Sequence, residues 1–358
     1  MSTRATAIVY TGGRFHTSDA KTAHGLVRGP CRYDVRALVD AESAGRDAGV
    51  VLDGRSRGIP CFATFDACLA TLATPPKYCV IGVATSGGVL PDEMKRALLP
   101  LVQRGIGVVN GLHEFLSDDP AFVAAARASG AELLDVRKPK PRRELHFWSG
   151  AIREVRAPRI PVLGTDCALG KRTTCHVIAD ALKADGVRAA IVATGQTGWL
   201  QGIDHGFVLD STPNDFVSGE LEHAIVRCDR DLAPDVILIE GQSALRNPSG
   251  PCGAELLLSA ESRAAILQHA PARTFFEDQE HLGNRIPSLT SELALVGMYG
   301  ARVLGLALNQ EHLAEADFEP ARAAVERETK LPAVFPLREG AARLVPAIRA
   351  HLEAERAR

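Results

Sequence analysis

Lys171 follows a glycine and opens a helical pattern, and that placement carries the clearest chemistry in the chain. The run Val162-Leu163-Gly164-Thr165-Asp166-Cys167-Ala168-Leu169-Gly170-Lys171-Arg172-Thr173-Thr174 leaves an apolar stretch, Ile160 to Leu163, that reads as a short buried strand. Beyond it Val177, Ile178, Ala181 and Leu182 recur at spacings of three and four, as on one face of a helix. Strand, glycine-bounded loop, lysine and helix start together make a phosphate-binding unit. The N–H groups of the first helical turn point outward, the helix dipole favours an anion, and the lysine adds a full positive charge. The candidate ligand contacts are Gly164, Thr165, Asp166, Cys167, Gly170, Lys171, Arg172, Thr173 and Thr174. The match to the usual P-loop is imperfect. Five residues rather than four separate Gly164 from Gly170, and Arg172 stands where a magnesium-binding Ser or Thr normally follows the lysine. Thr173 and Thr174 come one and two residues later and take that role less directly. Cys167 reads as a small packing residue of the loop, or as a thiol whose pKa the helix start and the lysine would lower.

Two more segments converge on this unit. A strand over Arg188 to Thr194 runs into Gly195-Gln196-Thr197-Gly198-Trp199-Leu200-Gln201-Gly202, expected as a glycine loop at the same end of the sheet. A second apolar strand, Asp235 to Ile239, ends in Glu240-Gly241-Gln242-Ser243. An apolar strand closed by an acid is the Walker-B pattern, whose carboxylate reaches a metal, a water or a substrate proton. Arg246-Asn247-Pro248-Ser249-Gly250-Pro251-Cys252-Gly253 is too rich in Gly and Pro for a core and reads as a loop over the site.

The elements that carry these motifs point to an α/β fold. Before the P-loop, strands are expected near residues 5–10, 35–40, 58–63, 78–84 and 107–110, with helices at 65–72, from Pro91 onward and at 120–129. Alternation of this kind implies a parallel sheet covered on both faces. Residues 1–137 read as a Rossmann-like domain, 138–158 as a linker and lead-in marked by Lys138-Pro139-Lys140-Pro141-Arg142-Arg143, and 159–358 as a P-loop NTPase-like domain. The turns Gly12-Gly13-Arg14, Thr85-Ser86-Gly87-Gly88 and Asn110-Gly111-Leu112-His113-Glu114 fall at strand ends where such sheets take ligands, but no complete G-x-G-x-x-G is present, so a nicotinamide site is not supported.

Bulk properties exclude several classes. At 358 residues, with 46% apolar and 23% charged residues, the chain suits two soluble domains, each with its own core. A net charge of −2 provides no broad basic field for nucleic acid or an anionic membrane. No apolar run approaches the roughly 20 residues that span a bilayer, and the opening Met1-Ser2-Thr3-Arg4-Ala5-Thr6 is not a signal peptide. The eight cysteines form no C-x-x-C pair, so no metal site is expected and reduced cytoplasmic thiols are the default.

The segments Gly164 to Thr174, Ala193-Thr194-Gly195-Gln196-Thr197-Gly198 and Ile239-Glu240-Gly241-Gln242-Ser243 resemble the D-glutamate N-acetyltransferase-like family, also known as a domain of unknown function. The Gly-Thr-Asp start and the loop spacing resemble dethiobiotin synthetase more distantly. The family resemblance implies a Rossmann-like domain followed by a P-loop domain over nearly the full length. It implies transfer of an acetyl group from acetyl-CoA to the amine of D-glutamate or a similar amino acid. For such a transfer, motif position offers Glu240 or Asp166 to take the proton, and Lys171 or loop N–H groups to stabilise the oxyanion. Gln196, Thr197, Gly198, Gln242, Ser243 and Arg246 become substrate contacts, and Arg172 or Arg246 pairs with substrate carboxylates. Gly241-Gln242-Ser243-Ala244-Leu245 departs from the commoner Gly-Gln-Gly-Ser-Leu, at a place where substrate selectivity would sit. A homo-oligomer acting on a small amino acid is expected. Two other readings stay open: an ATP-dependent ligase or kinase using ATP with Mg2+, and a nucleotide or CoA sensor without turnover.

Overall fold

A computed structural model describes residues 4–357 and resolves the chain into two units. The opening Met1-Ser2-Thr3, read above as no part of a signal peptide, lies outside the described residues. One unit comprises the chain up to Lys140 together with Gln196–Gly202, and the other comprises Pro141–Gly195 and Ile203 onward.

The first unit is built on six parallel strands: β1 (Thr6–Tyr10), β2 (Asp34–Val39), β3 (Cys61–Phe62), β4 (Tyr78–Ile81), β5 (Gly107–Asn110) and β6 (Leu133–Asp135). Their order is β3-β2-β1-β4-β5-β6. The central strands are apolar without alternation because helices cover both faces, and every residue of β4 and β5 is buried. The order reverses between β1 and β4, the place where open α/β sheets take ligands. Asp40, the acid after β2, is buried and accepts hydrogen bonds from Thr11 Oγ1 at 2.6 Å, Phe15 N at 3.0 Å and Ser43 N at 3.0 Å. It therefore fastens the loop after β1 to the sheet. His113 Nε2 lies 2.9 Å from Arg137 Nη1, while Glu114 pairs with Lys95 and accepts from Leu90 N at 3.0 Å.

The second unit has β7 (Arg159–Gly164), β8 (Ala189–Val192), β9 (Val236–Glu240), β10 (Ala264–His269), β11 (Arg302–Leu308) and β12 (Ala333–Val334), all parallel, in the order β12-β11-β10-β7-β9-β8. β7 lies between β9 and β10, so the loop that leaves it is flanked by the ends of both neighbours.

The helix Asn214–Leu232 shows no clean apolar stripe in sequence because two of its buried positions are acids, Glu220 and Glu222. Both receive backbone donors from the chain entering this unit. Glu220 Oε1 accepts from His146 N at 2.9 Å, Glu222 Oε2 from Ser149 N at 2.7 Å and Glu222 Oε1 from Ile152 N at 3.1 Å. Burial works against the Glu222 carboxylate, but the N–H groups of Ser149 and Ile152 outweigh it and hold its pKa below the usual range. Residues 146–152 are thus strapped to this helix. No helix among the described residues is long and apolar enough to cross a membrane.

Candidate active site

The loop between β7 and the helix Lys171–Ala184 begins at Gly164 and ends at Gly170, which caps the helix in the left-handed region at φ 96°. Gly164 is required by close approach. A Cβ there would lie 2.9 Å from Lys171 Nζ and 3.0 Å from Asp166 O. The lysine folds back under the loop, donating to Asp166 O at 2.7 Å and to Ser243 O at 2.9 Å. It is almost wholly buried, and desolvation lowers its pKa from the ordinary lysine value, against the neighbouring Cys167 and Asp166.

Two residues without a glycine's freedom are held at positive φ here, Ala168 at 53° and Ser243 at 36°. Such backbone persists only where surrounding contacts over-determine it. Ser243 supplies those contacts: its carbonyl receives Lys171, and its Oγ accepts from the Cys167 thiol at 3.2 Å. Asn247 Nδ2 approaches the same sulfur at 3.6 Å.

Asp166 is the most thoroughly bonded group in the loop. Its Oδ1 accepts from Cys167 N at 2.7 Å and Asn247 Nδ2 at 3.0 Å, and its Oδ2 from Arg273 Nη1 at 2.8 Å and Glu277 N at 2.7 Å. With all its lone pairs engaged and no exposed surface, it holds the loop shut and is not poised to take a proton. The proton-acceptor role expected for it from the sequence is corrected on this ground.

Glu240 closes β9 and is buried, with Oε2 accepting from Thr194 N at 3.1 Å. Burial raises its pKa above the ordinary glutamate range, while Arg172 and the N–H groups of Thr194 and Gly195 pull it down. Arg172 Nη1 stands 3.9 Å from Glu240 Oε1. Gln242 Nε2 donates to Thr194 Oγ1 at 2.9 Å, and Thr194 Oγ1 donates to Glu240 O at 2.7 Å, tying the ends of β8 and β9 together.

Hydroxyls on both sides of the lysine are tied to the end of β10. Thr174 is buried and donates to Gln268 Oε1 at 2.5 Å, and Thr165 Oγ1 meets His269 Nδ1 at 3.0 Å. Gln268 and His269 end β10, which pairs with β7. His269, Arg273 and Gln279 carry no signal in the sequence because they belong to no motif; the strand order, with β10 beside β7, brings them to the loop, whereas Asn247 lies on the Gly- and Pro-rich segment after β9 that the sequence places over the site. Gln279 Nε2 extends the network by donating to Asn247 Oδ1 at 3.0 Å.

Arg246 is already paired. Nε donates to buried Glu292 Oε1 at 2.8 Å and Nη1 to Ser291 Oγ at 2.7 Å. Only Nη2 is without a partner among the described residues, so the free fork expected for a substrate carboxylate is not present. The segment read as a glycine loop is helical over Gln196–Leu200 and belongs to the first unit. There Thr197 Oγ1 lies 3.2 Å from Thr22 Oγ1, Gln196 packs at Gly111, and the helix also carries Gly198.

Known proteins match this arrangement over most of its length. A family model described as the DUF1611 P-loop domain of unknown function matches residues 146–345, and one described as the DUF1611_N Rossmann-like domain matches residues 41–139. A D-glutamate N-acetyltransferase from Tritonibacter scottomollicae is 34% identical over 285 residues, covering 78% of this chain and 83% of that protein. A protein of the same name from Pseudoalteromonas sp is 27% identical over 274 residues, covering 74% and 79%. The crystal structure of a DUF1611 family protein from Anabaena variabilis superposes with a TM-score of 0.88 at 30% identity, covering 97% of this chain and 99% of that one. The chain belongs to the DUF1611 family, with its Rossmann-like domain first and its P-loop domain second.

Proposed function

We propose that this protein is an N-acetyltransferase that moves an acetyl group from acetyl-CoA to the amine of D-glutamate or a related amino acid. Two family relatives carry that activity in their names, one of them at 34% identity over most of both chains. The observation in the site that carries the reading is the loop from Gly164 to Gly170 with Lys171 and Arg172 at the helix start. Arg172 Nε is buried and without a hydrogen-bond partner among the described residues, which fits an anionic group such as the diphosphate of coenzyme A.

Acetyl-CoA supplies an activated thioester, so no phosphoanhydride needs to be cleaved. Lys171, Arg172 and the first N–H groups of the helix Lys171–Ala184 hold the phosphates. Asp166 and Asn247 keep the loop in its cradle shape. Glu240 takes the proton that the acceptor amine must lose to become a nucleophile, and its raised pKa suits that task better than an ordinary carboxylate. The test is a discontinuous assay of acetyl-CoA consumption with D- and L-glutamate and other amino acids as acceptors, with mass detection of the N-acetyl product. Product formed with D-glutamate and lost in Lys171→Ala supports the reading. Release of ADP from ATP with no acetyl product would overturn it.

A further inference from the structure

A P-loop implies a magnesium ion at the phosphates, held by a Ser or Thr directly after the lysine and by the acid that ends a neighbouring strand. The residues present here do not fit that ion. The position after Lys171 is Arg172, and the side chain is only 17% exposed. Thr173 lies a further ~100° around the helix. Thr174 is buried with its hydroxyl donated to Gln268. The strand-end acid already has a cation beside it: Glu240 Oε1 has Arg172 Nη1 at 3.9 Å. A divalent cation at the acid would sit against a guanidinium that never loses its charge.

The same guanidinium offers what the ion would have offered. It carries a permanent positive charge next to the first turn of a 14-residue helix, in a fork that matches phosphate oxygens. Its Nε is buried and bonded to nothing among the described residues. An orphaned buried donor of this kind is costly until an acceptor arrives. Glu240 orients the guanidinium from one side, and Lys171 lies one residue before it.

We infer that Arg172 replaces the divalent cation of this P-loop, so that the site takes a metal-free diphosphate in place of a magnesium chelate. The inference rests on the phosphate-binding reading of the loop and narrows its ligand class. A diphosphate diester such as that of coenzyme A fits, and a magnesium nucleoside triphosphate does not.

The experiment is calorimetric titration of the full chain with inorganic pyrophosphate, and separately with free coenzyme A, each in EDTA and in MgCl2. Pyrophosphate is expected to bind in EDTA, and magnesium is expected to leave its affinity unchanged or to weaken it by chelation. Binding at least tenfold tighter with magnesium, or no pyrophosphate binding in either buffer, overturns the inference. Arg172→Ser restores the usual hydroxyl. It should lose at least tenfold in affinity in EDTA and regain part of that loss with magnesium. A folded Arg172→Ser protein that binds as the wild type does in EDTA also overturns the inference. If that variant does not fold, Arg172→Lys serves: it keeps the charge but loses the fork, so it should bind pyrophosphate in EDTA more weakly than the wild type and gain nothing from magnesium, and a tenfold gain with magnesium would overturn the inference. Metal-free binding of pyrophosphate with no binding of coenzyme A would leave this inference standing while removing the acetyltransferase reading.

Discussion

Asp166 Oδ2 accepts a hydrogen bond from Arg273 Nη1 at 2.8 Å, and this pair joins the phosphate loop to the segment that follows β10. Arg273 Nη1 also reaches Cys167 O at 2.9 Å and Glu277 Oε2 at 2.7 Å, and its Nη2 pairs with Glu311. One guanidinium thus holds both a side chain and a carbonyl of the loop. Asp166 has no exposed surface, so removing either partner strands a buried charge.

Asp166→Ala should therefore cost about 3–5 kcal/mol of stability, the usual loss on breaking a buried ion pair from one side. Urea unfolding followed by circular dichroism measures this. Arg273→Ala should be destabilising by the same route, and the double variant should lose less than the sum of the two. An Asp166→Ala protein with wild-type stability would show that the loop does not depend on this fastening.

Glu240 carries the prediction about pH. Desolvation raises its pKa above the usual 4.5, partly offset by Arg172. In the proposed role of proton acceptor it works only when ionised, so the acidic limb of the kcat profile should lie above pH 4.5. Glu240→Gln should remove that limb and lower kcat by roughly 10²–10⁴, the range for loss of a positioned general base. If Glu240 serves only to orient Arg172, the substitution raises KM for acetyl-CoA and leaves the limb in place. Steady-state kinetics across pH separates the two outcomes.

The fold is legible in the sequence because its strongest signals are local. The β7 strand, the glycine-bounded loop and the helix after it lie consecutively in sequence, and β9 announces itself as an apolar run closed by Glu240. The helix Asn214–Leu232 is not legible, since Glu220 and Glu222 occupy buried positions in order to receive N–H groups from residues 146–152. The site is legible along the loop and at the end of β9. Arg273, Asn247 and His269 reach it through the pairing of β10 with β7 and the return of the loop after β9, contacts between residues 107, 81 and 104 positions apart, respectively. Arg246 misleads for a related reason. Its sequence neighbours suggest a loop over the site, but its partner Glu292 lies on the helix Leu289–Met298.

His269 makes a stability prediction. Burial lowers its pKa from 6.5 to about 4, helped by the positive charge of Arg273. Between these values the unfolded chain takes up a proton that the folded chain refuses. The folded state is therefore penalised as pH falls from 6.5 towards 4, and the penalty is absent above 6.5. Each tenfold fall in proton affinity corresponds to about 1.4 kcal/mol, so the penalty is on the order of 3 kcal/mol at its full extent. His269→Gln keeps a group able to bond Thr165 Oγ1 but cannot be protonated. Its stability relative to the wild type should rise by that order between pH 6.5 and pH 4. A difference independent of pH in paired denaturant titrations would remove this account.

Arg246 and Glu292 form another pair with a buried carboxylate, at 2.8 Å, with the carboxyl 1% exposed and the arginine side chain 31% exposed. Burial already holds the Glu292 pKa above the usual 4.5, against the pull of Arg246. Arg246→Ala takes that pull away, so the folded-state pKa climbs further. A carboxyl with a raised folded pKa favours folding less as pH rises above its unfolded value. The variant should therefore lose about 3–5 kcal/mol near neutral pH, and progressively less as the solution becomes acidic enough to protonate the carboxyl in both states. Adding Glu292→Gln should recover much of the loss, because the group left behind is then neutral and can still bond Ser291 or a water. Unfolding curves for the wild type, both single variants and the double variant, in mildly acidic and mildly basic buffer, give the coupling directly. A loss that is equal in the two buffers and unaffected by Glu292→Gln would mean that Arg246 acts through packing alone. A KM for the acceptor that rises in Arg246→Ala beyond the change in folded fraction would give Nη2, the nitrogen of Arg246 left without a partner among the described residues, a role in substrate binding.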